Sequence, residues 1–261
     1  MPTTPAKNLL YRVALPILAP HSRGQMTHHI SGHPLTSLPN YERILAKHHV
    51  FGASLLLQDG ANCALCNTST ANPEHLAQEN TLYRVASITK MATALVTLRC
   101  IDNGLFALDS EAASLLPDGE KALALSGVTV RHLLCHTSGL RDLPMLDSCL
   151  KEGKPYIELL RQPEIRACAP GQQLIYSNFG FGLLGCILEQ QTGLCIEPLF
   201  QEMLFRPLHM RATLDASTLN EAEIMPITRV LPYRAGQELR VTALGRHPLQ
   251  KPNPLCHYGH T

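Results

Sequence analysis

The chain has 261 residues, 45% of them hydrophobic, and 22 Lys and Arg stand against 21 Asp and Glu for a formal net charge of +1 at pH 7. That length gives room for one large domain or two small ones around a sizeable core. A charge balance this even, without basic runs, excludes the electrostatic footprint of a nucleic-acid or anionic-membrane binder and leaves a small molecule or short peptide as the expected partner. Nine cysteines without a repeated spacing suit free, buried thiols in a reducing compartment, so a cytoplasmic protein is expected.

In chain order, residues 1–36 read as a leader without fixed structure. Asn8–Pro20 is weakly apolar behind Lys7, but Arg12 and Pro16 interrupt it, so it suits neither a secretory signal nor the roughly 20-residue apolar stretch of a membrane span. Met26 is an alternative start. The domain proper is expected over 37–261. Leu38, Tyr41, Ile44 and Leu45 have amphipathic helical spacing, and Val50–Gln58 reads as a buried strand. Asp59-Gly60 predicts a tight hairpin turn into a partner strand over Asn62–Asn67. Cys63-x-x-Cys66 sits on that strand; no second ligand pair follows at finger-like spacing, so no metal is expected.

After a polar loop, Thr81–Ala86 is extended, and a helix opens at Ser87 with Ile88, Met91, Leu95 and Leu98 on one face and Gly104 as its stop. Further helices are expected over Val130–Cys135, over Phe179–Gln191 with Gly193 as terminator, and over Ile196–Phe205 before Arg206-Pro207. Beyond Ala212 the chain is Pro-rich, with Glu238–Leu244 as its strand candidate. The pattern is α+β: an antiparallel sheet flanked by helices, plus a mostly helical region over about 105–215. A two-stranded hairpin is marginal alone, so the sheet needs further strands, and C-terminal ones are expected to be missing.

Two patterns carry chemistry. In Ser87-Ile88-Thr89-Lys90, residues three apart share a helix face, which sets an amine one turn from a serine hydroxyl. Serine is a poor nucleophile until a base takes its proton, and lysine serves as that base where burial or a neighbouring cation depresses its pKa. A serine at a helix start also sees backbone N–H groups and the favourable end of the dipole. Ser148-Cys149-Leu150-Lys151 has the same spacing but precedes the Gly153–Pro155 break, with no helix behind it. In Tyr176-Ser177-Asn178, an extended segment would point Tyr176 and Asn178 the same way, one to relay a proton and the other to hold substrate or lysine. A buried tyrosine before a helix capped by Ser177 or Asn178 is the competing structural reading.

Together the two patterns resemble the S-x-x-K and Y-x-N elements of the serine β-lactamase and penicillin-binding protein superfamily, in the tyrosine version of its class C relatives. Leu133–Leu140 (LLCHTSGL) is similar to that family's LLxHTSGL segment, Pro170-Gly171 before Tyr176-Ser177-Asn178 to its PG-x-x-x-x-YSN run, and Pro207-Leu208-His209-Met210 to its PLGM segment with His209 in place of glycine. The resemblance runs in order from about Leu38 to Leu214. It implies a β-lactamase/transpeptidase-like fold and an acyl-enzyme formed on Ser87 from an amide or ester, without metal or organic cofactor. Lys90 and Tyr176 would handle the proton, Asn178 would position the substrate, and His136 would be structural. The family's third motif is expected at His260, which opens an H-T-G cut off before its glycine or else belongs to an unrelated loop. The β-lactam, D-amino-acid peptide and small-ester substrates stay open, as does the oligomeric state. A non-catalytic member that keeps the fold for binding is the rival.

Overall fold

The computed structural model describes residues 27–32, 44, 52–60, 62–69, 77–117, 123–144, 159–220, 223–225, 227–230 and 241–245. The chain divides into two units: Met1–Arg84 with Leu219–Pro248, and Val85–Thr218 with Leu249–Thr261. The stretch 38–49 where a helix is expected, apart from Ile44, and both Ser148–Lys151 and His260 fall outside the described residues.

In the first unit, strands β1 (Thr27–Gly32), β2 (Gly52–Asp59) and β3 (Asn62–Ser69) form an antiparallel sheet in the order β1-β3-β2. Asp59 pairs with Asn62, so the turn falls one residue later than Asp59-Gly60, with Gly60 at φ +58 as its first residue. Only glycine takes that angle without a side-chain penalty. Leu55 and Leu57 face Cys66 and Ala64 across the ladder, and these two β3 side chains are buried. Cys63, three positions before Cys66, is exposed. An odd spacing on a strand sends two side chains to opposite faces, which is why the C-x-x-C pair does not form a pincer.

Two features of this unit differ from the sequence expectation. Strand β1 lies inside the 1–36 stretch, because Thr27–Gly32 finds its hydrogen-bond partners on β3 rather than in its own polar sequence. The Pro-rich stretch past Ala212 contains a pair: β4 (Ile227–Val230) runs antiparallel to β5 (Val241–Gly245), with an irregularity between Ile227 and Arg229 that blurs its alternation. Leu82 also makes a parallel bridge to Ile224, closed by Leu82 N–H to the Glu223 carbonyl (2.8 Å) and Met225 N–H to the Leu82 carbonyl (2.8 Å).

The second unit is built around helix α3 (Asn178–Thr192), preceded in the chain by α1 (Thr89–Asp102) and α2 (Val130–Leu134) and followed by α4 (Ile196–Phe200). Phe179, Leu183, Leu184, Cys186, Ile187 and Leu188 are fully buried, so α3 is apolar most of the way round and serves as the core's axis. Val96 and Cys100 of α1, Leu133 of α2, and Leu199 and Phe200 of α4 join the same cluster. Each buried Leu or Phe contributes roughly 1.5–3 kcal/mol. Helix α3 ends as expected at Gly193, whose φ of +69 supplies the left-handed cap. The helix expected over Ile196–Phe205 is α only to Phe200, and Gln201–Phe205 continues it as a wider π turn.

The buried face of α1 is not the one its apolar spacing suggested. Thr93, Val96, Thr97 and Cys100 are buried, whereas Ile88 is 62%, Met91 68%, Leu95 52% and Leu98 41% exposed. Threonine tolerates the core here because the Thr93 and Thr97 hydroxyls donate to the carbonyls of Thr89 (3.2 Å) and Thr93 (2.8 Å). A polar group with its hydrogen bond made costs little to bury. The thiol expectation is also corrected in part. All seven described cysteines are free, but Cys63, Cys135 and Cys195 are exposed, while Cys66, Cys100 and Cys186 are buried. Among the described residues, no single helix is long and apolar enough to cross a membrane.

Candidate active site

All of the described candidate residues belong to the second unit. Ser87 occupies the middle of a 3-10 turn, Ala86–Ile88, that leads directly into α1. Ala86 before it has φ +45, a left-handed angle that a residue with a Cβ adopts only under local constraint. Lys90 lies in the first turn of α1, and its Nζ donates to Ser87 Oγ at 3.3 Å. The three-residue spacing therefore delivers the contact it promised.

Tyr176 and Asn178 arrive from the segment that leads into α3. Ser177 points the other way, is buried, and accepts from Gly180 N–H (2.9 Å) as the N-cap of α3. The residues on either side of it are thereby turned together towards α1. Tyr176 Oη donates to Ser87 Oγ at 2.8 Å, and Lys90 Nζ donates to Asn178 Oδ1 at 2.7 Å. The four residues form one hydrogen-bonded chain, Tyr176 to Ser87 to Lys90 to Asn178.

The Leu133–Leu140 segment holds this arrangement. Its backbone accepts from the Tyr176 segment, with Ile175 N–H on the His136 carbonyl (2.8 Å) and Gly171 N–H on the Thr137 carbonyl (2.7 Å). His136 Nδ1 accepts from Ser177 N–H at 3.2 Å, and its ring stands 4.5 Å from that of Tyr176 and 4.9 Å from that of Phe181. Burial, and after it the charge of Lys90, holds the imidazole below its ordinary pKa against the opposing pull of Asp142. A neutral ring is the form in which Nδ1 accepts. Gly139 has φ +75, and a Cβ there would collide with the Cys168 carbonyl.

Lys90 Nζ also lies 4.9 Å from the centre of the Tyr176 ring and 5.7 Å from that of Phe181, a cation–π environment. The hydrogen bond with Lys90, followed by that with Ser87, holds the Tyr176 phenol below the ordinary tyrosine value, while partial desolvation and Asp142 push it the other way. Tyr176 is half exposed, so it stays open to a ligand. Among the described residues, no three His, Cys, Asp or Glu side chains gather to hold a metal.

Asp142 is the member that motif reading missed. Its carboxylate accepts from Asn178 Nδ2 (2.7 Å), Phe179 N–H (2.8 Å) and Ser177 Oγ (3.3 Å). Nothing in its local sequence marks it, because its partners lie 35 to 37 residues away. A useful signal would have been the need of an asparagine before an apolar helix for an acceptor.

A helix-opening serine, a lysine one turn on and a tyrosine from a second segment, all within hydrogen-bond reach, define the class: a β-lactamase/transpeptidase-like fold with a serine–lysine–tyrosine group. Two solved structures share that fold, a class C β-lactamase from Rhodobacter sphaeroides (22% identity, TM-score 0.60, 77% of this chain and 59% of that one) and a penicillin-binding protein from Bacillus halodurans (22%, 0.60, 73% and 62%). The β-lactamase family profile matches residues 40–247, and the chain belongs to that family. It is 28% identical over 228 residues to penicillin-binding protein 4 of Amycolatopsis lactamdurans, covering 77% of this chain and 58% of that protein. To esterase EstB of Burkholderia gladioli it is 31% identical over 178 residues, 61% of this chain and 43% of that protein. The chain thus spans about half the length of these relatives.

Proposed function

We propose that the chain is a serine acyl-transfer hydrolase that forms an acyl-enzyme on Ser87 from an amide or ester of small-molecule or short-peptide size. One observation carries this reading: Ser87 Oγ lies 2.8 Å from Tyr176 Oη and 3.3 Å from Lys90 Nζ. In its phenolate form Tyr176 takes the Ser87 proton as Oγ bonds to the substrate carbonyl carbon. The tetrahedral intermediate collapses by breaking the C–N or C–O bond, and the proton returns from Tyr176 to the leaving group. Water then attacks the ester, gives a proton to Tyr176 and releases the acid, with Ser87 reprotonated.

Lys90 keeps positive charge beside the phenolate, and Asn178 fixes Lys90 while lying where a substrate amide would contact it. The backbone N–H of Ser87 is one donor to the developing oxyanion. The likeness to a penicillin-binding protein and to an esterase supports β-lactams, D-amino-acid peptides and small esters as the classes to try, and nine cysteines without a repeated spacing support a reducing, cytoplasmic setting.

The test is intact mass after exposure to a fluorophosphonate and, separately, to a β-lactam, with Ser87→Ala as control. An adduct lost in Ser87→Ala is the expected result. No adduct on folded protein would overturn the enzyme reading in favour of a binding-only member, and an adduct that survives Ser87→Ala would mean a different nucleophile.

A further inference from the structure

We propose that Asp142 is a positioning residue that sets which end of the Asn178 amide faces Lys90, and so holds the Lys90 ammonium beside Ser87. The inference rests on the acylation reading of Ser87 for its catalytic meaning. Its structural basis is independent of that reading.

The argument is one of donors and acceptors. An ionised carboxylate only accepts hydrogen bonds, and an ammonium only donates them. Asn178 stands between the two, with Nδ2 2.7 Å from Asp142 Oδ2 and Oδ1 2.7 Å from Lys90 Nζ. A carboxamide has one donating and one accepting end, so a single orientation satisfies both neighbours. Turned over, it would set oxygen against oxygen at Asp142 and N–H against N–H at Lys90. Lys90 by itself cannot hold the amide against rotation, since it too is mobile on a four-carbon stem. Asp142 can, because its other oxygen is anchored on Phe179 N–H (2.8 Å) in the first turn of α3 and on Ser177 Oγ (3.3 Å).

The competing role for Asp142 is simple support of the α3 N-terminus. Asp142→Asn separates the two. An asparagine at 142 can keep its oxygen on Phe179 N–H, and so keep the support, but it then turns an NH2 group towards Asn178 Nδ2. The Asn178 amide must flip, which presents a donor to Lys90 and displaces it. Asp142→Asn should therefore fold with a melting temperature close to the parent's, yet acylate Ser87 more slowly by on the order of 100-fold, the usual consequence of moving a reacting group by about an ångström. The exchange Asp142→Asn with Asn178→Asp restores every pairing and the net charge. Asn at 142 donates to one oxygen of the new carboxylate, and Lys90 donates to the other. It should recover at least about tenfold of the lost rate, the size of coupling expected between residues in contact.

A second readout needs no substrate. Reductive methylation of lysines, followed at the Lys90 peptide by mass spectrometry, reports how firmly that amine is held. Methylation of Lys90 should be several-fold faster in Asp142→Asn than in the parent and return to the parent rate in the exchange variant. Equal Lys90 methylation in parent and Asp142→Asn overturns the proposal, and so does an exchange variant that restores neither rate. If Asp142→Asn does not fold, the exchange variant decides alone: folded with Lys90 protected supports the positioning role, and unfolded or unprotected overturns it. A parent that takes no acyl group sinks the Ser87 reading, while the methylation arm still decides the role of Asp142.

Discussion

Tyr176 is where the geometry makes its most direct kinetic claim. The phenol is held below the ordinary tyrosine pKa first by its hydrogen bond with Lys90 and next by that with Ser87. On the proposed acylation reading the phenolate is the base, and it is populated above that pKa. Acylation should therefore rise with pH along a limb whose midpoint lies below an ordinary tyrosine's, and be lost as pH falls through it. Lys90→Met removes the leading cause, so the same limb should move upward, read from kcat/KM against pH; a limb that stays put would detach Lys90 from the proton. Tyr176→Phe should cost about 10²–10⁴ in acylation rate, the usual range for losing a general base. Gly139 belongs to the same scale for a different reason. Gly139→Ala both forces a side chain into φ +75 and drives a methyl against the Cys168 carbonyl, so about 2–4 kcal/mol of stability should be lost in denaturant unfolding.

Among the elements, α1 and α3 behave oppositely. Helix α3 hides nearly all its apolar side chains, whereas α1 hides Thr93 and Thr97 beside Val96 and Cys100 and leaves Met91, Leu95 and Leu98 outward. Leu184→Ala should then cost about 2–5 kcal/mol through transfer and cavity terms. Leu95→Gln should stay within about 0.5 kcal/mol, as surface changes do. Comparison of the two unfolding midpoints checks the assignment, and a large loss in Leu95→Gln would refute the exposed face. The start of α3 matters as much as its length. Ser177→Ala removes the cap from Gly180 N–H and should lower stability by about 1 kcal/mol. Because Ser177 also turns Tyr176 towards Ser87 and Asn178 towards Lys90, its loss should slow acylation as well.

For the whole molecule, the thiols offer a test of the packing. Native alkylation should reach Cys63, Cys135 and Cys195 and spare Cys66, Cys100 and Cys186 until the protein is unfolded, with peptide mass mapping as the readout. The β-lactamase family is legible from the order of its motifs, because each is a local pattern whose geometry depends on neighbours close in sequence. Ser87 and Lys90 meet since residues three apart on a helical turn share a face, and Gly193 ends α3 since only a residue without a Cβ takes its angle freely. Folding had to decide whatever depends on distant partners. Tyr176 reaches Ser87 across 89 positions, and Asp142 earns its contacts only once α3 is in place. Strands β1 and β4 exist by hydrogen bonds to β3 and β5, so their own residues do not mark them as strands. The buried face of α1 includes Thr93 and Thr97 beside Val96 and Cys100 because hydroxyls bonded to their own helix are compatible with a core, a circumstance that apolar spacing does not record. Local stereochemistry is written into short stretches of sequence, whereas burial and long-range pairing are properties of the folded surface that each stretch meets.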